Sequence, residues 1–315
     1  MTNTAAQLSA LSEHGIVTDL ARLLDARHWA QGLSLFSHQA ARNLLLGNVR
    51  SRFRGRGMEF EEVRRYQAGD DIRTIDWKVS ARAQGTYTKL FCEERERPCH
   101  ILVDQRQALY FGSSVQFKSV LAAELATAIA WAALKGGDRV GGQVIGDYKT
   151  SDSRARHSKQ AVLRLIHDIN AGNHRLANQH HNDIPSDKTN LANSLEECRR
   201  ITRPGTAIFI ISDFHDFDHA AAKSLTNLAK HADLTLLQVS DKLEQKLPNL
   251  GNVAISNGRQ SAKVNLSSSL TKAYQQDRSD RQNLLISSAT KARALYSNID
   301  TSQTARQALS RLFTN

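Results

Sequence analysis

Three residues of this 315-residue chain combine oxygen donors with a setting suited to hard-cation chemistry. Asp104 ends the apolar run HILVD, Asp213 ends TAIFIISD, and Thr189 opens a helical stretch after a polar loop. If both runs are strands of an open α/β sheet, their carboxyl ends are where ligands bind. Two carboxylates and a hydroxyl on three separate loops would suit Mg²⁺, which takes oxygen ligands in near-octahedral geometry and keeps several waters. A second cluster follows at His215 and His219, four apart beside Asp213, Asp216 and Asp218, a spacing that sets two ligands on one helix face. It would serve a metal-dependent hydrolase, but no glutamate completes an HExxH motif, and Asp216 or Asp218 is a natural helix N-cap. A surface loop is therefore the favoured reading, as it is for His180 and His181 with Asp183. The chain has no GxSxG elbow, no GxxxxGK[ST] loop and no dinucleotide fingerprint, so it is not expected to be an enzyme.

Another candidate surface spans Gly55 to Arg97, GRGMEFEEVRRYQAGDDIRTIDWKVSARAQGTYTKLFCEERER, where both charge signs alternate with aromatic residues. Arg54, Arg56, Glu59, Arg64, Arg65, Tyr66, Asp70, Asp71, Arg73, Asp76, Trp77 and Arg82 are its candidate partner-binding residues, because interfaces favour arginine and aromatic side chains. The alternative is an intramolecular lattice in which Arg64, Arg65, Arg73 and Arg82 match Glu59, Asp70, Asp71 and Asp76 while Tyr66 and Trp77 pack inward. Arg52, Arg54 and Arg56 would project to one side of an extended chain. The formal net charge of +11 calls for anionic partners. Nucleic acid is the less favoured of these, since the basic residues are spread among acids rather than gathered in a block.

The elements that must position these residues follow from periodicity. Thr18 is placed to cap a first helix bearing Leu20, Leu23, Leu24 and Trp29. Gly69 with Asp70 and Asp71 marks a turn and short helix, and Thr86 to Cys92 a strand. From Pro98 strands and helices alternate: strands at His100 to Asp104, Arg139 to Asp147, Thr206 to Asp213 and Asp233 to Asp241, and helices around Val120 to Ala132, Val162 to Ile169 and Leu191 to Cys198. The most apolar strands require a parallel sheet covered on both faces. A hairpin around Asn257-Gly258 and two helices are expected in the tail. With 40% hydrophobic residues the chain can bury a large core. Cys92, Cys99 and Cys198 have no CxxC spacing, which points to reduced thiols. No apolar run approaches the roughly 20 residues of a membrane helix, and MTNTAAQLSALSEHG lacks signal-peptide features; a cytoplasmic location is expected.

The stretch GRGMEFEEVRRYQAGDDIRTIDWKVSAR resembles the signature of the bacterial domain-of-unknown-function family fifty-eight, with the resemblance covering roughly residues 40 to 270. It implies a von Willebrand factor A-like, Rossmann-like domain beginning near Pro98. It also implies a non-catalytic adaptor or chaperone-like role beside a MoxR-type AAA+ ATPase and a client protein. Such domains often bind a divalent cation through Asp-x-Ser-x-Ser, a Thr and a later Asp, which map to Asp104, Thr189 and Asp213. The two serine positions are Arg106 and Ala108, so one hydroxyl is deleted and the other replaced by a cation. Arg106 would either fold inward and stand in for the metal through Asp104 or Asp213, or point outward and leave the site vacant. In both cases no cofactor and no tight Mg²⁺ binding is expected. The expected division is an N-terminal helical and α+β segment carrying the GDD and IDW motifs over 1–97, the A-like domain over 98–250, and a hairpin with C-terminal helices over 251–315.

Overall fold

In a computed structural model, the structure describes residues 15–35, 58–67, 70–83, 85–93, 97–178, 189–245, 252–256, 261–265 and 267–313. They group into two compact units, one within 1–47 and 97–315, the other within 48–96.

The larger unit is built on a six-stranded sheet. Its strands are β3 (Pro98–Asp104), β4 (Arg139–Ile145), β5 (Thr150–Arg156), β6 (Thr206–Ser212), β7 (Ala232–Ser240) and β10 (Leu295–Asp300). Their spatial order is β10-β7-β6-β3-β4-β5, with every pairing parallel except that of β4 with the edge strand β5. The helices are α1 (Leu20–Ala30), α3 (Lys118–Lys135), α4 (Lys159–Asn178), α5 (Leu191–Ile201), α6 (His219–Ala229), α7 (Lys242–Gln245), α8 (Ser268–Lys291) and α9 (Ala305–Phe313). This is the expected α/β class, consistent with a Rossmann-like fold of von Willebrand A type.

Strand alternation divides the core in two. Ile101 and Val103 of β3 and Phe209 and Ile211 of β6 pack with Leu23, Leu125, Ile129, Ile166 and Leu309 on one face. Leu102, Ile208 and Ile210 pack on the other with Leu195, Leu225 and Leu285. Every residue of α3 from Lys118 to Ala133 is buried, as expected for a helix that is apolar nearly all round and covered by other helices as well as by the sheet.

Several local expectations shift. Asp19, not Thr18, caps α1, while the Thr18 hydroxyl donates to Asn170 Oδ1 at 2.7 Å. Asn190, not Thr189, caps α5. Strands β5 and β10 differ from the sequence expectation: the first is short of apolar residues, and the second, LYSNID, lies between the two helices expected in the tail. The expected hairpin is present as β8 (Asn252–Ser256) paired antiparallel with β9 (Ser261–Asn265).

In the smaller unit, β1 (Met58–Arg65) pairs antiparallel with β2 (Tyr87–Glu93). Between them lie a 3₁₀ turn at Ile72–Thr74 and a short helix α2 (Trp77–Ser80), whose N-caps are Asp71 and Asp76.

Candidate functional site: an ion-closed rim

The strand order changes direction between β3 and β6: from β3 the chain winds out to β4 and β5, and from β6 to β7 and β10. This switch point is where open α/β sheets bind ligands. Asp104 ends β3 there and Asp213 directly follows β6.

Arg106 folds inward. Its Nε donates to Asp104 Oδ1 at 2.9 Å and its Nη2 to Oδ2 at 2.7 Å, a two-pronged pair between residues two apart. The other side of the guanidinium reaches Asp216, Nη1 to Oδ2 at 2.5 Å and Nη2 to Oδ1 at 3.0 Å. Nη1 also donates to the Thr189 carbonyl at 3.3 Å. Asp104 is fully buried and Arg106 nearly so. Burial opposes the arginine charge, but the hydrogen bonds and proximity of Asp104 and then Asp216 outweigh it, raising the pKa above its ordinary value. The Ser212 hydroxyl completes the Asp104 shell with a 2.6 Å bond to Oδ2.

Asp213 has a different cation. Lys118 Nζ donates to its Oδ2 at 2.9 Å and to Glu244 Oε1 at 2.6 Å. His215 Nδ1 lies 2.9 Å from Oδ1. Burial would raise the Asp213 pKa, yet the His215 hydrogen bond and the Lys118 charge hold it well below the carboxylate range. His215 is displaced upward in turn: burial works against its proton, and Asp213 more than compensates. A third strand-end carboxylate, Asp241 after β7, is buried and bonded to hydroxyls, accepting from Thr301 Oγ1 at 2.5 Å and from Ser113.

Thr189 stands at the rim but turns its hydroxyl elsewhere, donating to the Asp147 carbonyl at 3.1 Å. Ala108 lies in a 3₁₀ turn, Gln107–Leu109, and packs against the core. The oxygens that a divalent cation would take are thus engaged by Arg106, Lys118 and Ser212, and the donor set does not fit such an ion as arranged. His219 opens α6 behind its Asp218 cap, apart from the Asp213–His215 pair in role. Among the described residues, no three His, Cys, Asp or Glu side chains form a metal-ligand group.

Sequence reasoning brings Asp104, Arg106, Thr189 and Asp213 to one rim but misses Lys118, Ser212, Asp216 as an ion-pair partner, and Glu244. Lys118 carried a signal: a lysine at the first turn of a helix opposes the macrodipole, so it calls for nearby carboxylates.

In the smaller unit one pair of the expected lattice is present among the described residues, Lys89 pairs with Asp76 at 3.5 Å, and Asp71 and Asp76 also cap turns. Arg64 Nη2 pairs with Asp70 Oδ1 at 2.7 Å, whereas Asp71 accepts from the Arg73 backbone and Asp76 from those of Lys78 and Val79. Tyr66 is half-buried, its hydroxyl donating to the Asp70 carbonyl at 3.3 Å. Trp77 does not pack inward: it is 69% exposed, and Ile72 is 66% exposed. Arg65, Arg73 and Arg82 are exposed. Arg54, Arg56 and the Glu59 side chain lie outside the described residues.

The fold and its rim define a Rossmann-like α/β protein in which the strand-end carboxylates Asp104 and Asp213 are paired with the internal cations Arg106 and Lys118. The chain belongs to the family described as "Protein of unknown function DUF58", which it matches over residues 62–283. Uncharacterized proteins of Mycobacterium bovis and of Mycobacterium tuberculosis are each 27% identical over 223 residues, 71% of this chain and 68% of theirs. The crystal structure of the conserved hypothetical protein BatB from Bacteroides thetaiotaomicron matches with a TM-score of 0.42 and 14% identity, covering 68% of this chain and 96% of that one. No described helix is long and apolar enough to cross a membrane.

Proposed function

We propose that this chain is a non-catalytic adaptor that acts beside a MoxR-type AAA+ ATPase on a client protein, and that its rim takes part in recognition without a metal ion. The observation that carries the reading is the guanidinium of Arg106 shared between Asp104 and Asp216 at the sheet switch point. It supplies a built-in positive charge where a metal-dependent domain would need a bound cation, so the rim is complete from the chain's own residues. The absence of a phosphate-binding loop in the sequence leaves ATP-driven work to the partner. Exposed Ile72, between Asp71 and Arg73, and exposed Trp77, between Asp76 and Lys78, supply the mix of large apolar and charged side chains that protein interfaces use.

The test is an affinity pull-down from the native host with tagged full chain, with and without ATP. Recovery of an AAA+ ATPase is expected, reduced roughly tenfold or more by Trp77→Ala if Trp77 is an interface anchor. Repeated recovery of no such ATPase under both conditions contradicts the adaptor. A second reading, nucleic-acid binding, draws on the net charge of +11; it requires binding that weakens steeply with salt and needs no ATPase.

A further inference from the structure

Beside the rim, on the β6–β7 side, lies a cleft of roughly 90 Å³ roofed by α8. Tyr274, Arg278, Arg281, Gln282 and Leu285 face it at helical spacing, and Lys118, Asp213 and Glu244 lie across from them. Three permanent cations in this lining, Lys118, Arg278 and Arg281, oppose two carboxylates, Asp213 and Glu244. Asp277, outside the lining, pairs with Arg281 and brings the count to three of each sign, so what the cleft offers an anion is unfilled hydrogen-bond donors rather than a surplus charge.

The two arginines differ from Arg106 in their hydrogen bonding. Arg281 is oriented by the His215 carbonyl through Nη1 and by the exposed Asp277 through Nη2, but its Nε is buried without a hydrogen-bond partner. Arg278 Nη1 is likewise buried and unpartnered. Buried donors of this kind are uncommon and each needs an explanation. A cleft of this size would hold about three waters, or one planar carboxylate, whose two oxygens match a guanidinium fork. A phosphate dianion would bring twice the charge of a carboxylate against Asp213 and Glu244.

We propose that this cleft binds one carboxylate of a protein partner, received by Arg278 and Arg281. The inference rests on the adaptor reading for its kind of ligand and gives that partner a chemical feature: an aspartate or glutamate side chain, or a chain's terminal carboxylate, presented at the end of the sheet.

The experiment uses full chain labelled with ¹⁵N-arginine and follows the Arg281 Nε–H resonance, assigned with Arg281→Lys. Three probes are titrated: a blocked hexapeptide with one central glutamate, its blocked glutamine counterpart, and the glutamine peptide with a free C-terminus. Saturable movement with the first locates the source in an acidic side chain, and with the third in a chain terminus. Either result supports the cleft, provided that Arg278→Gln, with an unchanged melting temperature, weakens it roughly tenfold. No movement with either carboxylate, equal movement with the blocked glutamine peptide, tighter saturation by inorganic phosphate, or indifference to Arg278→Gln overturns it. The titration contains no ATPase, so its failure and the failure of the pull-down are separate results.

Discussion

At the residue scale, the rim shows how a buried charge is tolerated: Asp104, Asp213 and Asp241 each have an internal donor set. Removing one member of such a pair costs far more than the pair's net contribution, because the remaining charge stays buried. Arg106→Met, which strands a fully buried Asp104, is expected to lower stability by roughly 3–5 kcal/mol in urea unfolding. Adding Asp104→Asn should recover part of that loss, which a double-mutant cycle reads as coupling. Equal losses for the single and double variants would show that Arg106 acts through packing. His100 gives a pH signature of its own. It is buried beside Gln143, 3.3 Å from its Oε1, and burial pushes its pKa down from 6.5 to about 4. Below pH 6.5 the unfolded chain takes up a proton that the folded chain refuses, so stability present above that pH is lost as pH falls toward 4. The loss is on the order of 3 kcal/mol. His100→Gln should flatten stability between pH 4.5 and 7 relative to the wild type; parallel profiles would contradict the assignment.

At the element scale, the apolar strands β3, β6 and β7 and the helices α3 and α4 are legible in the sequence because their periodicity and length leave little choice. Elements at the sheet edges are not. In β5 only Ser153 is buried, and TSDSRAR has no apolar alternation to read; β10 owes its place to pairing with β7, a tertiary interaction. The GDD and IDW motifs were recognisable as special, but their aspartates serve mainly as caps for short turns, and whether an aspartate caps a backbone or pairs with an arginine depends on geometry. A clear constraint lies in β4. A Cβ on Gly142 would stand 2.4 Å from the Ile101 carbonyl oxygen and 3.0 Å from Leu165, so neighbouring strand and covering helix both depend on its missing side chain. Gly142→Ala is expected to cost about 1–3 kcal/mol of stability by forcing β4, β3 and α4 apart. A variant as stable as the wild type in denaturant unfolding would show that this packing yields without strain.

At the scale of the whole molecule, the sheet order places the rim at the switch point, and three separate stretches of sequence meet there: the Asp104–Arg106 turn, the loop at Thr189, and the Asp213–Asp216 turn. The Asp-x-Arg spacing could be read from the sequence, but which carboxylates Arg106 joins could not, because Asp216 is brought to it only by the fold. Family membership connects the rim with the capped turns of the smaller unit, since both lie within the matched residues 62–283. The proposed metal-independent adaptor depends on Arg106, paired with Asp104 and Asp216, taking the place of a cation at the rim. The most direct measurement is a calorimetric titration of Mg²⁺ into the purified wild-type chain. The geometry predicts no binding heat into the millimolar range; a saturable isotherm with micromolar affinity at this rim would contradict it.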